Sequence, residues 1–461
     1  MSDLLRLSAL NVGIAAFGAL ALIAAGLRPR KGLAATVVGL APAVGLALVG
    51  LCAALSAMVG VDIGLVSTLI LAVLAVAALA VVARRRRWAP VVAGRRSGMA
   101  GRVLETLALG ALAILSVTIV RLAVATGLDQ WDGWAIWGPK AHALYAGGDI
   151  WSPVFTEPEY LMQHQEYPVL LPALEALSAE SLGRFDPALI DVQAALVLVA
   201  FGWAAWALLR LVAPPALAAG ASLALTGSAP LATNAGANYA DTVVASFVAL
   251  GLLCLFVWLT REVQGGGSAV LCLGGLFLAA AALTKSEGLL FAIAGLVTAG
   301  VVARRLRRPV RDVVVLAAGL LALPALWAIV DRLNGPGARN VDLGGAFDAE
   351  AVDRAPVAAE ALLGELVDGW PVAGLAVVVA LVMAAVARSW WPGVFVALWT
   401  LLSFAALVVV YVVSVNPIDW HLGTSADRVV FSIALGAATL APALATLAWE
   451  EGDGRRASGR A

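Results

Sequence analysis

The stretch "VDIGLVSTLILAVLAVAALAVVARRRR" (Val61–Arg87) decides the fold. Its apolar run is long enough to cross a bilayer as a helix, which takes about 20 residues, and it stops at four arginines. It lacks the period-two alternation of a barrel strand, and only helices and closed barrels satisfy their backbone within lipid. Runs of this kind recur throughout the 461 residues. The chain is 62% hydrophobic and 13% charged, with a mean hydropathy of +0.95; soluble domains are about 45–50% apolar and ~25% charged. The composition therefore reads as an all-α integral membrane protein.

About 13 transmembrane helices are expected, at 8–27, 34–58, 61–83, 103–125, 188–211, 214–231, 239–260, 268–284, 286–303, 310–331, 370–388, 391–414 and 428–449. The segment 268–303 reads equally as two short helices or one long broken one. Asp3 and Arg6 precede the first span and "RPRK" (Arg28–Lys31) follows it. That order is the reverse of a signal peptide, so a retained anchor with its N-terminus outside is expected. Threading thirteen spans puts Arg28–Lys31, Arg84–Arg87, Arg95, Arg96, Arg102, Arg210, Arg261, Arg304–Arg308, Arg388 and the Arg455–Arg460 tail on one side. The positive-inside rule makes that side cytoplasmic. The other side receives 126–187, 232–238, 284–287, 332–369 and 415–427, and about 24 of the 30 Asp and Glu lie on that side or just inside its ends. Three units follow: a three-span N-terminal unit with a basic linker (1–102), a membrane module (103–449) and a short cytoplasmic tail (450–461). Cys52, Cys254 and Cys272 lie inside apolar runs and read as small core residues, with no disulfide framework.

The outer segment 126–187 is too long for a simple connector, and long loops in compact proteins tend to be functional. It opens with "GLDQWDGWAIWGPKAHALYAGGDIW" (Gly127–Trp151) and continues to "QHQEYPVLLPALEAL" (Gln163–Leu177). At helical pitch Trp134, Trp137, Ala141 and Tyr145 share a face that Trp131 extends, which suggests an amphipathic helix in the membrane interface. A second apolar helix opens at Pro168. Asp129, Asp132, Lys140, His164, Glu166 and Tyr167 lie on or between these helices.

Ionisable groups also sit where lipid penalises them. Asp241 follows Tyr239 at the start of a span, Lys285 and Glu287 interrupt an apolar run, and Asp427 and Arg428 open the last span beside His421. Such groups cost about 2.5–3.5 kcal/mol each at a helix centre, less near its ends, and they face a cavity or a partner. The threading brings them to the level of Asp129 and Asp132, as expected of a common polar pocket. Local pairing, Lys285 with Glu287 and Asp427 with Arg428, is the simpler alternative.

With these residues in view, the chain resembles the GT-C superfamily of polytopic glycosyltransferases. It is most similar to the aminoarabinose-transferase and protein-mannosyltransferase branch. "WDGWAIWGPKAHALYAGGDIW" followed by "HQEYPVLLPALEAL" has the order of parts of that family's outer catalytic loop, and "NYADTVVASF", "LTKSEGLL" and "DRVVF" are similar to its later donor-phosphate stretches. The resemblance spans about residues 103–449. It implies inverting transfer of a sugar from a polyprenyl phosphate to a hydroxyl of an envelope glycan, lipid or protein, outside the cytoplasmic membrane, with no nucleic-acid partner. Counted back from Gly148-Asp149, Asp132 falls within about one residue of the family's catalytic carboxylate, and Asp129 lies some three further away. The resemblance makes Asp132 the general base, with Asp129 the second candidate. Lys285, Arg428 and His421 would bind the donor phosphate; Asp241, Tyr239, Trp134, Trp137, Lys140, His164, Glu166 and Tyr167 would bind substrate. The usual loop acid pair is replaced here by "DQ" and "DG". A divalent metal, held by carboxylates and His164, remains an open expectation. No P-loop is present, in keeping with a lipid-linked donor.

Two rival readings make separate demands. A ligase or polymerase of the O-antigen type would depend on His164, His421 and Arg428. A secondary transporter would need Asp241, Lys285 and Arg428 near mid-membrane, and no inverted repeat is evident.

Overall fold

A computed structural model describes residues 2–27, 34–85, 98–260, 267–335 and 349–458. Among these the chain is helical, without a strand. The basic residues at 28–31, 86–87, 95–96 and 261 lie outside the described residues, as do the side chains of the arginine tail. The helices are α1 (Asp3–Ala24), α2 (Ala34–Met58), α3 (Leu65–Arg85) and α4 (Met99–Thr126), then α5 (Gly138–Gly147), α6 (Pro153–Thr156), α7 (Leu170–Leu182) and α8 (Pro187–Ile190) within the long loop. There follow α9 (Val192–Leu209), α10 (Pro215–Thr226), α11 (Ala229–Ala235), α12 (Ala240–Thr260), α13 (Gly267–Ala282), α14 (Ser286–Arg305) and α15 (Val310–Asn334). The chain closes with α16 (Ala349–Gly369), α17 (Pro371–Val386), α18 (Trp390–Val412), α19 (Ile418–Val429) and α20 (Phe431–Ser458).

Ten described helices are long and apolar enough to cross a membrane. The number rises to 12 if two bent pairs each count as one span: α10 with α11, bent by 58°, and α16 with α17, bent by 94°. This is a multi-pass helical membrane protein. The expected span at 268–284 is a helix whose described apolar part, Ala269–Ala282, is shorter than a crossing. It is separate from α14, the break falling at Leu283–Lys285. The expected outer connector 332–369 contains α16, where Ala358 and Leu362, one turn apart, are buried, and the helix packs on α18 and α19.

Burial grades outward from α12, which is apolar on all sides and buried along its length, as a helix without a polar face must be. It packs on α9, α13, α14 and α20, whereas α3 and α4 leave most of their apolar surface open. The first three helices share the same core, because α2 packs on α7, α9, α13 and α15. At one end of the bundle Arg210 Nε meets Glu105 Oε1 at 3.0 Å, joining the end of α9 to the start of α4. The long loop lies at the other end.

Close approach of α1 and α2 depends on two glycines. A Cβ on Gly18 would lie 1.9 Å from the Ala41 carbonyl oxygen, and one on Gly45 would lie 2.0 Å from that of Ile14. Small residues let membrane helices pack backbone to backbone. Gly18→Val is expected to lower stability by about 1–3 kcal/mol through overpacking. Gly13→Val, with nothing within 4 Å of its Cβ, should change it little; thermal unfolding in detergent measures both.

Candidate functional site

The loop begins where α4 ends at Gly127, and Asp132 leads into a π-helical turn, Gly133–Trp137, that runs directly into α5. The wider π turn breaks the α-helical register, and such turns are frequent at functional sites. The expected aromatic face is divided for this reason. Trp131 and Trp134 are half exposed and meet edge to face at 4.8 Å, whereas Trp137 and Ala141 are fully buried. The second expected interfacial helix, α7, is buried on every side of its central turns and packs on α2 and α5. Its sequence "LLPALEAL" is apolar all round but for Glu175; such a helix belongs in a core. The two helices are thus stacked parts of the bundle's end.

Charged groups from four distant segments meet there. Arg428 Nη1, at the end of α19, donates to Asp132 Oδ2 at 2.7 Å and reaches Asp241 Oδ2 at 3.4 Å. Lys285 Nζ, at the break between α13 and α14, donates to Asp241 Oδ1 at 2.8 Å and lies 3.4 Å from Glu287 Oε1. Asp241 therefore bridges the two cations from the first turn of α12. The Arg428 guanidinium lies over the Tyr239 ring at 4.3 Å, a cation–π geometry. Long-range partners prevail over local ones. Asp427 stands 3.9 Å from Arg428 with its side chain 64% exposed, and Glu287 is farther from Lys285 than Asp241 is. The arrangement is one shared ionic cluster, with both local pairs kept at its edge as the longer contacts.

Tyr167 joins this ionic group to the loop. Its ring stacks on Trp137 at 5.8 Å and on His164 at 4.8 Å, and Lys285 Nζ lies 5.7 Å above it. His164 Nδ1 is 3.4 Å from Glu166 Oε1, and Trp327 Nε1 of α15 donates to the Glu166 carbonyl at 3.0 Å. Burial pushes the Glu166 carboxyl up, but hydrogen bonding and charge from His164, with the charge of Lys140, hold it below its usual range. His421 packs against the Tyr411 ring at 4.5 Å, and Tyr411 Oη shares a 2.8 Å hydrogen bond with Ser425.

Lys140 serves the loop itself. Fully buried, it donates to the carbonyls of His164 and Tyr167 and so ties α5 to the turn before α7. Burial pushes its ammonium down to about 7 against the pull of Glu166 and Asp331. The folded pKa lies below the free value of 10.5, so the unfolded chain holds the extra proton between these limits. Stability should rise as pH climbs from about 7 to 10.5. Lys140→Met should flatten that rise, as read by unfolding midpoints across the range.

Of the expected residues, Asp132, Tyr239, Asp241, Lys285 and Arg428 converge; Trp137, Lys140, His164, Glu166 and Tyr167 form the adjoining wall, with His421 nearby. Asp129 and Trp134 do not join them. Both are exposed, and Asp129 acts instead on Asp191. Tyr411 and Trp327 went unread because each is one aromatic within an apolar run. Among the described residues no three or more His, Cys, Asp or Glu are arranged to hold a metal ion. Asp132 and Asp241 are engaged with cationic side chains, so the pocket does not fit the metal that the carboxylates and His164 left open.

An apolar groove of about 740 Å³ runs between α10, α17 and α20, walled by Leu217, Ala221, Ala376 and Ala441. Trp370 lines it and also packs edge-on against Phe431 at 5.7 Å, three residues beyond Arg428. No protein-family model, curated protein or solved structure matches the chain.

Proposed function

We propose that this protein is an inverting glycosyltransferase of the GT-C kind, moving a sugar from a polyprenyl phosphate to an acceptor hydroxyl. The observation that carries the reading is the meeting of Asp132, Asp241, Lys285 and Arg428, with an apolar groove linked to it only through Trp370, which packs on Phe431 three residues beyond Arg428. A lipid-phosphate sugar needs that combination: a carboxylate to accept a proton, cations for the phosphate and an apolar channel for the chain. In this reading thirteen segments cross the cytoplasmic membrane and the site faces outward, because the arginine clusters belong inside.

The acceptor oxygen attacks the anomeric carbon as the bond to the phosphate oxygen breaks, and the hydroxyl proton passes to Asp132. Asp132 engages Arg428 through Oδ2, while Oδ1 has no hydrogen bond to a described residue; Oδ1 is the atom that takes the proton. The leaving phosphate gains negative charge next to Lys285 and Arg428, and preorganised charge of this kind is usually the largest catalytic term. Asp241 holds both cations in place before substrate arrives. Tyr167, only partly buried beside Lys285, is the aromatic placed to meet the sugar, with Trp137 fully buried behind it, and the groove takes the prenyl chain. The charged groups sit at helix ends, which weighs against a transporter coupled at mid-membrane.

Protein reconstituted in lipid with a panel of labelled polyprenyl-phosphate sugars should release free polyprenyl phosphate from one of them. Consumption of none would remove the reading. The position of His421 favours one alternative, a histidine-dependent ligase, because its Nδ1 is buried without a hydrogen bond. In that case His421→Asn, and not Asp132→Asn, would abolish transfer.

A further inference from the structure

A second cluster lies behind the turn that carries Asp132, and none of the chemistry above uses it. Glu175 in the middle of α7, Asp191 at the start of α9 and Asn238 before α12 are all fully buried. Glu175 and Asp191 are close enough for their charges to interact, and Asn238 lies beside Glu175. Asn238 is the one side chain within hydrogen-bonding range of Glu175, at a geometry too poor to satisfy either, and the Asp191 oxygens have no hydrogen-bond partner among the described residues. Asp191 occupies a helix N-cap position, yet its side chain does not cap the helix, so the ordinary reason for an aspartate there is missing.

The imbalance is chemical as well as geometric. Five acceptor oxygens, two on each carboxylate and one on the amide, are matched by a single donor group, the Asn238 NH2. No Lys, Arg or His among the described residues pairs with either carboxylate within salt-bridge distance. Buried charge persists only when paired or coordinated.

We propose that Glu175, Asp191 and Asn238 form a buried site for a hard divalent cation, with Ca²⁺ the ion that fits it best. Two carboxylates call for two positive charges. Carboxylate and amide oxygens are hard ligands, and Ca²⁺ takes six to eight of them in flexible geometry. Mg²⁺ gives up its water reluctantly and suits a buried pocket less well. Two acids with one amide are too few for a His- or Cys-based transition-metal centre, and they leave coordination places for backbone oxygens or water. Asp129, which is exposed, lies close enough to Asp191 for their charges to interact. The site would brace the Asp132 turn, because the Asn238 Cβ lies 3.4 Å from where a Cβ on Gly133 would stand and the Ala237 carbonyl 3.1 Å.

The test uses the full chain in detergent, stripped with EDTA and held at constant ionic strength. Ca²⁺ should raise the melting temperature by roughly 2–5 °C at hundredfold excess over its dissociation constant, Mg²⁺ less and choline not at all. Radioactive ⁴⁵Ca²⁺ should bind one per chain. Glu175→Gln/Asp191→Asn should abolish both responses. If the double variant does not fold, Asn238→Ala should weaken Ca²⁺ binding at least tenfold. Absence of a Ca²⁺-specific shift in wild type would mean that the carboxyls are protonated, and a shift retained in the variants would place the ion elsewhere. Either overturns the proposal. Neither readout depends on sugar transfer, so it stands or falls apart from the transferase reading.

Discussion

Asp132→Asn is expected to lower release of polyprenyl phosphate by about 10²–10⁴-fold, the usual contribution of a positioned general base. Asparagine keeps the shape of the side chain and can still accept from Arg428 Nη1, now 2.7 Å from Oδ2, but it cannot take the acceptor proton. The fold should therefore survive while turnover does not. Asp129→Asn, at an exposed position outside the ionic cluster, should stay within a few-fold of wild type. Single-turnover measurement with saturating donor separates the outcomes. Loss in both variants would mean that the loop is generally sensitive, and loss in neither would remove the carboxylate mechanism.

Lys285→Met is expected to destabilise the protein by about 3–5 kcal/mol, the cost of leaving one partner of a buried pair uncompensated. Its side chain is 6% exposed and that of Asp241 5%, so neither can turn to water. Asp241 would keep only its 3.4 Å contact with Arg428. Adding Asp241→Asn should recover part of the loss, because the stranded negative charge disappears with it. Denaturation of the two single variants and the double one gives the coupling directly. A loss below about 1 kcal/mol for Lys285→Met would show that the pair does not hold the break between α13 and α14, since exposed pairs contribute no more than that.

The helical membrane class was legible at Val61–Arg87 because an apolar run of that length has no other stable form in lipid. The meeting of Asp132, Asp241, Lys285 and Arg428 was legible as well, though only as a shared level. Threading puts each at the same end of its helix, and lipid makes unpaired charges seek company. Two features were not legible. The π turn at Gly133–Trp137 has no signature in side-chain spacing and separates Trp134 from Trp137. The helix α16 was masked by its acids, which broke the apolar run.

The sequence by itself determined what lipid and charge enforce: the helices, and the polar residues that had to find partners. Only the tertiary structure decided which partners they found. Lys285 and Arg428 each have an acid as a chain neighbour, yet both are bound to Asp241, and Arg428 reaches Asp132, 296 residues away. The reason is burial. An exposed local pair such as Asp427 with Arg428 gains little in water, whereas Asp241 in the first turn of a fully buried helix must be neutralised wherever the packing brings a cation.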